Sequence, residues 1–178
     1  MRYLLVPGRG VPTPEHWMSR WAGAPPQAQP RWQWAPVPPG PPLVLADRIA
    51  ALDAAVAASA EPVLLVAHSG GCIATVMWAA SHTGPVHAAL LVTPPVIDGF
   101  DPESPEDVPW RVPMAPLPFR TALVASRTDP YCTFDQSRAY AEAWGASLVD
   151  AGDAGHLDTT SGYGPWAEGE RLVADLSR

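Results

Sequence analysis

Hydrophobic residues fall into six short runs along the chain, separated by segments with helical periodicity. Most of the runs are continuous rather than alternating, which is typical of strands covered on both faces of a parallel sheet. The predicted strands are Arg2–Val6, Arg31–Val37, Val63–Ala67, Val86–Thr93, Thr121–Ser126 and a weaker Ser147–Val149.

The intervening segments predict helices, and several of them begin or end at residues that suit helix termini. Pro14 and Pro165 stand at helix starts, and Gly145 follows a helix end. The predicted helices are Glu15–Ala22, Val44–Ser59, Gly71–Ser81, Phe134–Trp144 and Trp166–Leu176. Alternation of strands and helices at this spacing predicts right-handed βαβ units in a doubly wound α/β sheet.

Length, charge and cysteine content exclude several classes of protein. The 178 residues suit a single domain over residues 1–178. A net charge of -7 with scattered arginines argues against binding to nucleic acid or an anionic membrane. The first apolar run ends at Pro7, too early for a signal peptide or a membrane span. Because Cys72 and Cys132 make no disulfide framework, we expect a cytoplasmic protein without metal or cofactor.

The clearest chemical signal lies in Val63–Cys72, where a buried strand runs into a turn of small residues with Ser69 at its apex. A nucleophilic serine needs this strand–turn–helix context, with small residues two positions before and after it, here Ala67 and Gly71. The helix that follows directs its amides at the serine, so the amide of Gly70 can donate to an oxyanion. The alternative is a serine that merely caps a helix.

A serine nucleophile needs a base and an orienting acid, each following a later strand. Asp129 follows the fifth predicted strand and His156 lies in the loop after the sixth. We therefore expect the order Ser69, Asp129, His156. Asp150 and Asp153 lie close to His156 in sequence and remain alternative acids.

A second oxyanion donor is expected in the glycine-containing loop after the first strand. The backbone amide of Arg9 is the predicted donor, with Gly10 beside it. A phosphate-binding loop is excluded because the stretch lacks the later Gly-Lys-Ser/Thr, and the chain has no lysine.

Several further residues are predicted to surround the nucleophile. Gly10, His16, Trp17 and Trp110 are candidates for substrate binding. We interpret His68 as a supporting residue whose side chain points away from the base. The proline-rich segment 94–118 follows the fourth strand and is either a lid over the site or a stiff surface crossover.

These motifs together resemble the small serine hydrolases related to retinoblastoma-binding protein nine, the YdeN-like branch of the α/β-hydrolase superfamily. The residues that carry the resemblance are Pro7-Gly8, Glu15-His16-Trp17, Trp21, Ala67-His68-Ser69, Gly71-Cys72, Ala125-Ser126-Arg127, Asp129-Pro130-Tyr131-Cys132, Gly155-His156, Ser161–Trp166 and Glu168-Gly169. The resemblance covers nearly the whole chain.

The resemblance implies a compact three-layer αβα fold, with a mostly parallel sheet of about six strands and no large lid domain. It also implies a catalytic triad at Ser69, Asp129 and His156. Three positions depart from the family pattern: Gly70 replaces a usual leucine, Arg48 replaces an expected tryptophan, and Asp158 replaces a common polar amide.

Three functions are consistent with these residues. The first is a serine hydrolase that cleaves a small ester or thioester, with a small-molecule acyl substrate. The second retains the triad but transfers or cyclises the acyl group. The third is an interaction module that binds a protein partner with weak or no catalysis, since a fold alone does not establish activity.

Overall fold

The computed structural model describes residues 1–9, 12–25, 31–35, 44–97 and 111–178. The predictions for Gly10 and Trp110, and for most of the 94–118 segment, lie outside these residues. The strands are β1 (Arg2–Val6), β2 (Trp32–Trp34), β3 (Val63–His68), β4 (Val86–Val92), β5 (Arg120–Ala125) and β6 (Ser147–Asp150). The helices are α1 (Trp17–Ala22), α2 (Leu45–Ala57), α3 (Gly70–Ser81), α4 (Phe134–Trp144) and α5 (Ala167–Leu176), with a 3-10 turn at Thr159–Ser161.

The described strands form one parallel sheet in the order β2-β1-β3-β4-β5-β6. The chain runs from β1 outward to β2 and then returns to β3 on the other side of β1. In open α/β sheets, the crevice beyond the carboxyl ends of two such strands is where ligands bind. The topology therefore places the expected ligand-binding crevice at the loops that follow β1 and β3.

Alternate residues of the strands are buried on opposite faces of the sheet. Helices pack on both faces, so the fold has three layers. One face holds Leu4, Leu65 and Leu91 against α2, α3 and α4, and the other holds Leu5, Leu64 and Leu90 against α1 and α5. β3 is buried along its whole length, as its continuous apolar run predicts. The predicted fold class, three αβα layers around a parallel sheet of six strands, is confirmed for the described residues.

The element boundaries differ from the sequence prediction by a few residues. β2 covers only Trp32–Trp34, and residues 36–37 of the predicted strand lie outside the described residues. α1 begins at Trp17 rather than Glu15, because His16 is its N-cap and accepts the Met18 amide at Nδ1. Side-chain capping of this kind fixes a helix start that hydrophobic periodicity alone does not locate.

Candidate active site

Ser69 forms a sharp elbow between β3 and α3. Its backbone has φ 54° and ψ -128°, a conformation that costs a non-glycine residue about 1–3 kcal/mol and is concentrated at functional sites. Its amide donates to the Val92 carbonyl at 2.9 Å, and its carbonyl accepts the Cys72 amide at 2.9 Å. Backbone hydrogen bonds on both sides therefore hold the strained residue in place.

The small residue after the elbow is required by the close packing of α3 on the end of β1. A Cβ atom on Gly71 would lie 2.2 Å from the Val6 carbonyl oxygen and 2.7 Å from that of Pro7. No larger residue fits there without moving the backbone. Ala67, at the matching position before Ser69, is fully buried.

The loop after β1 lies directly against Ser69. A Cβ atom on Gly8 would come within 2.8 Å of the Ser69 Cβ and 3.3 Å of its Oγ, so the absence of a side chain permits this approach. A Cβ atom on Gly70 would lie 3.8 Å from the backbone nitrogen of Arg9. The structure thus brings the two predicted oxyanion donors, the amides of Gly70 and Arg9, close together beside Ser69.

Asp129 and His156 form a buried pair. Asp129 Oδ1 lies 3.0 Å from His156 Nδ1, and their side chains are 1% and 8% exposed. The same oxygen accepts the Tyr131 amide at 3.0 Å. Because Nδ1 of the neutral ring donates to the carboxylate, Nε2 is left as an acceptor, as a general base requires. Within the described chain no hydrogen bond joins the Ser69 and His156 side chains; such contacts often tighten only when substrate binds.

The backbone of His156 is anchored by three side chains from separate parts of the chain. Its carbonyl oxygen accepts His68 Nε2 at 2.9 Å and Thr93 Oγ1 at 3.2 Å. Its amide donates to Ser161 Oγ at 3.0 Å. These bonds fix the position of the loop that carries the ring.

His68 supports the base directly, which corrects the expectation that its side chain points away. Its ring lies 4.9 Å from that of His156 and 5.0 Å from that of His16. Because the His156 carbonyl can only accept, His68 Nε2 must carry the proton. Burial lowers the pKa of His68 to about 3 and that of His16 to about 4. Both imidazoles are therefore neutral at physiological pH.

The alternative acids lie elsewhere. Asp150 is bound by Arg127, whose Nε and Nη2 lie 3.0 Å and 2.5 Å from Asp150 Oδ2. The hydrogen bond from Arg127 also lowers the pKa of the Asp150 carboxyl. Asp153 is exposed. Of the three candidates, Asp129 contacts the His156 ring.

The predicted substrate-binding residues have different positions. His16 is buried beside the His68 ring. Trp17 is fully buried in the core, and its Nε1 donates to the Leu157 carbonyl at 2.9 Å, so the structure assigns it to packing rather than to substrate contact. Gly10 and Trp110 are outside the described residues.

Two residues near the site were not singled out as functional by the sequence. Tyr131 is 59% exposed, and its ring lies edge-on to that of His156 at 4.6 Å. Arg48 donates from Nη1 to the Pro7 carbonyl at 3.0 Å and from Nη2 to the Gly8 carbonyl. For Arg48, the sequence signal of a role at the site was its departure from the family pattern, in which a tryptophan is expected at this position.

The two cysteines are free and buried. Burial raises the pKa of the Cys72 thiol, and that of Cys132 is also raised. Neither is activated as a thiolate nucleophile, which needs a lowered pKa and access to solvent. Among the residues the structure describes, no group of three or more His, Cys, Asp or Glu is arranged to hold a metal ion. No helix in those ranges has the length and apolar character needed to cross a membrane.

Known proteins resemble the chain in both sequence and structure. A model of the serine hydrolase family matches residues 3–175. A YdeN-like hydrolase from Pectobacterium atrosepticum is 29% identical, with a TM-score of 0.82 over 99% of this chain and 90% of that protein. The ydeN gene product of Bacillus subtilis is 18% identical, with a TM-score of 0.74 over 98% of this chain and 97% of that one.

A hydrolase of the α/β superfamily from Xanthomonas campestris is likewise 18% identical, with a TM-score of 0.64 over 97% of this chain and 98% of that protein. No curated protein matches the chain significantly. The family match spans nearly all of the chain, and the neighbours share its fold. The chain therefore belongs to the serine hydrolase family and is a hydrolase with the α/β-hydrolase fold.

Proposed function

We propose that this hydrolase cleaves a small carboxylic ester or thioester through an acyl-enzyme on Ser69. The observation that carries the proposal is the strained Ser69 elbow at the end of β3. Strain at Ser69, which backbone bonds hold on both sides, is explained by a need to expose its hydroxyl at the carboxyl edge of the sheet. The buried Asp129–His156 pair supplies the partner groups that such a hydroxyl requires.

In the proposed acylation step, His156 Nε2 accepts the Ser69 proton while Oγ attacks the substrate carbonyl carbon. Negative charge develops on the carbonyl oxygen, and the amides of Gly70 and Arg9 donate to it. Each such donor commonly contributes about 3–4 kcal/mol to the transition state. The intermediate collapses when His156 returns the proton to the leaving alcohol or thiol.

In the proposed deacylation step, His156 removes a proton from water as the water attacks the acyl carbonyl. The same two amides stabilise the second tetrahedral intermediate, and Ser69 leaves with its proton restored. Asp129 accepts the hydrogen bond from Nδ1–H and stabilises the imidazolium that forms in each step. Transfer to another nucleophile would share the first step and differ only in what replaces water.

Labelling with a fluorophosphonate probe tests this proposal. We expect one mole of probe per mole of wild-type chain, located on Ser69 by peptide mass spectrometry, and loss of labelling in Ser69→Ala. Ser126→Ala is the matched control, because Ser126 is a buried serine in another turn of the same sheet edge. A folded wild type that takes up no probe, or labelling that survives in Ser69→Ala, would contradict the proposal. Product analysis with a simple ester then separates hydrolysis from transfer.

A further inference from the structure

The loop that follows β1 is held by a charged side chain from α2. Arg48 is half-buried, and its guanidinium donates to two successive carbonyl oxygens, those of Pro7 and Gly8. Forty residues separate Arg48 from Gly8 in the sequence. The contact is therefore tertiary, and it joins the start of α2 to the carboxyl end of β1.

The position of Arg48 within α2 is not explained by the helix itself. Arg48 lies in the first turn, where its amide donates to the Val44 carbonyl, and a positive charge at a helix N-terminus is unfavourable. Burial, together with the nearby charge of Arg9, lowers the pKa of the Arg48 guanidinium. Both effects oppose a cation at this place, so its hydrogen bonds to the loop must compensate for them.

The geometry of the peptide unit connects this contact to the reaction. The Gly8 carbonyl and the Arg9 amide belong to one planar trans peptide, so the C=O and N–H bonds point in opposite directions. When Arg48 binds the Gly8 oxygen, the Arg9 N–H is turned away from α2. The Arg9 nitrogen lies near Gly70. A cation on the carbonyl also polarises the peptide and strengthens its N–H as a donor.

We infer that Arg48 is a positioning residue for oxyanion stabilisation: it orients and polarises the Gly8–Arg9 peptide so that the Arg9 amide donates to the tetrahedral intermediate. This inference rests on the proposed function, because it needs an oxyanion at Ser69. In this role Arg48 contacts no reacting atom. Its guanidinium acts through the main-chain peptide between Gly8 and Arg9.

The same helix–strand pair contains a matched control. Arg2, at the start of β1, donates from Nη1 to the Ala55 carbonyl and from Nη2 to those of Val56 and Ser59. Arg2 and Arg48 thus tie β1 to α2 at opposite ends, each through carbonyl oxygens. Only Arg48 lies at the end that carries Ser69. Loss of either guanidinium should destabilise the fold, whereas only loss of Arg48 should impair oxyanion binding.

The experiment compares Arg48→Met, Arg48→Lys and Arg2→Met with the wild type, using 4-nitrophenyl acetate as substrate. We expect Arg48→Met to lower kcat by about 10- to 100-fold with little change in KM, somewhat less than the loss of a whole oxyanion donor. Acylation and deacylation should slow together, because both pass through an oxyanion. Arg48→Lys should recover part of the loss, and Arg2→Met should lower the melting temperature without lowering kcat.

The affinity for a boronic acid that forms a tetrahedral adduct with Ser69 is a second measurement. A purely structural role of Arg48 would leave this affinity unchanged. The affinity should fall in parallel with kcat in Arg48→Met and stay at the wild-type value in Arg2→Met. Added guanidinium ion, far below denaturing concentration, should raise the activity of Arg48→Ala and leave that of Arg2→Ala unchanged.

Two outcomes would overturn the inference, and they are distinguishable. If the wild type turns over the ester and Ser69→Ala does not, while Arg48→Met keeps wild-type kcat and boronate affinity, this inference alone fails. If the folded wild type neither turns over the ester nor binds the boronate, the proposed function fails and the inference fails with it.

Discussion

The two sides of Ser69 are built in different ways. On one side, the Asp129–His156 pair consists of buried side chains, and His68, Thr93 and Ser161 anchor its backbone. On the other side, the predicted oxyanion donors are main-chain amides, positioned by the close approach of Gly8 and by the guanidinium of Arg48. The first side depends on which side chains are present. The second depends on the path of the backbone, which the missing side chain of Gly8 permits and the side chain of Arg48 holds.

This difference determines what each side tolerates. Substitution on the acid–base side removes a chemical group and should change proton transfer. Substitution on the oxyanion side leaves the amides in the chain but can move them, so it should change the stabilisation of charge in proportion to the displacement. The predictions below test that distinction, from the largest expected effect on activity to the smallest.

Asp129→Asn should lower activity more than substitutions at Gly8 or His68. An amide can present its NH2 group to Nδ1 and stabilise the wrong imidazole tautomer, so we expect kcat to fall by about 10⁴-fold. Steady-state ester hydrolysis measures this, with circular dichroism as the test of folding. Asp150→Asn is the control, since it removes the charge of the exposed pair with Arg127 and keeps a side-chain oxygen that can accept the Gly152 amide. A large loss in Asp150→Asn instead would mean that the acid is misassigned.

Gly8→Ala probes the oxyanion side without removing any amide. The new methyl group would lie 2.8 Å from the Ser69 Cβ, so either the loop or the elbow must shift. We expect kcat/KM to fall by about 10²-fold. Gly70→Ala is the comparison, because its methyl group would meet the Arg9 nitrogen at an ordinary 3.8 Å, and its loss should be clearly smaller. Equal losses in both variants would show that the approach of Gly8 to Ser69 is not what positions the donors.

His68→Leu tests the backbone anchoring of the acid–base side. The variant leaves the His156 carbonyl with Thr93 as its remaining side-chain donor, so the His156 loop can shift. We expect kcat to fall by about 10-fold, with partial recovery in His68→Gln, which keeps a donor. His87→Leu, at an exposed position on β4, serves as the control. If His68→Leu and His68→Gln behave alike, the hydrogen bond to His156 does not matter.

Acid should lower stability through the two buried histidines. In the unfolded chain both have the ordinary pKa of 6.5, whereas in the fold the pKa of His16 is about 4 and that of His68 about 3. Below pH 6.5 the unfolded state therefore binds protons that the folded state does not, and stability falls as the pH decreases. Between pH 6.5 and 4 the loss should be on the order of a few kcal/mol.

Denaturant unfolding across this pH range measures the effect. The double variant His16→Gln/His68→Gln should give a flatter dependence of the unfolding free energy on pH, even if its stability at neutral pH is lower. The lowered pKa of Asp158 causes a further loss of stability only below about pH 4. This loss therefore lies outside the range in which the two proteins are compared. An unchanged slope in the double variant would show that other groups govern acid sensitivity.

Much of the fold could be predicted from local sequence patterns. β3 is a continuous apolar run because both of its faces are covered, and α4 ends at Gly145 because that residue adopts φ 66°. The start of α1 could not be located in the same way. It depends on the His16 side chain capping a backbone amide, a geometric event that hydrophobic periodicity does not encode.

The candidate site also combines residues that local sequence predicts with contacts that only packing decides. Ser69, Asp129 and His156 each follow the carboxyl end of a strand, and parallel strands bring their carboxyl ends to one edge of the sheet. Spacing along the chain is enough to nominate them. It is not enough to show that Trp17 belongs to the core, because an aromatic residue beside a loop can point inward or outward with the same sequence around it.

The sequence by itself determined the alternation of strands and helices, the elbow residues and the order of the predicted triad, because these depend on residue type and short-range spacing. The tertiary structure alone decided that His68 supports the His156 backbone, 88 residues away, and that Arg48 binds the loop after β1. A hydrogen bond between distant segments depends on the direction of each side chain after packing, and no local pattern specifies that direction.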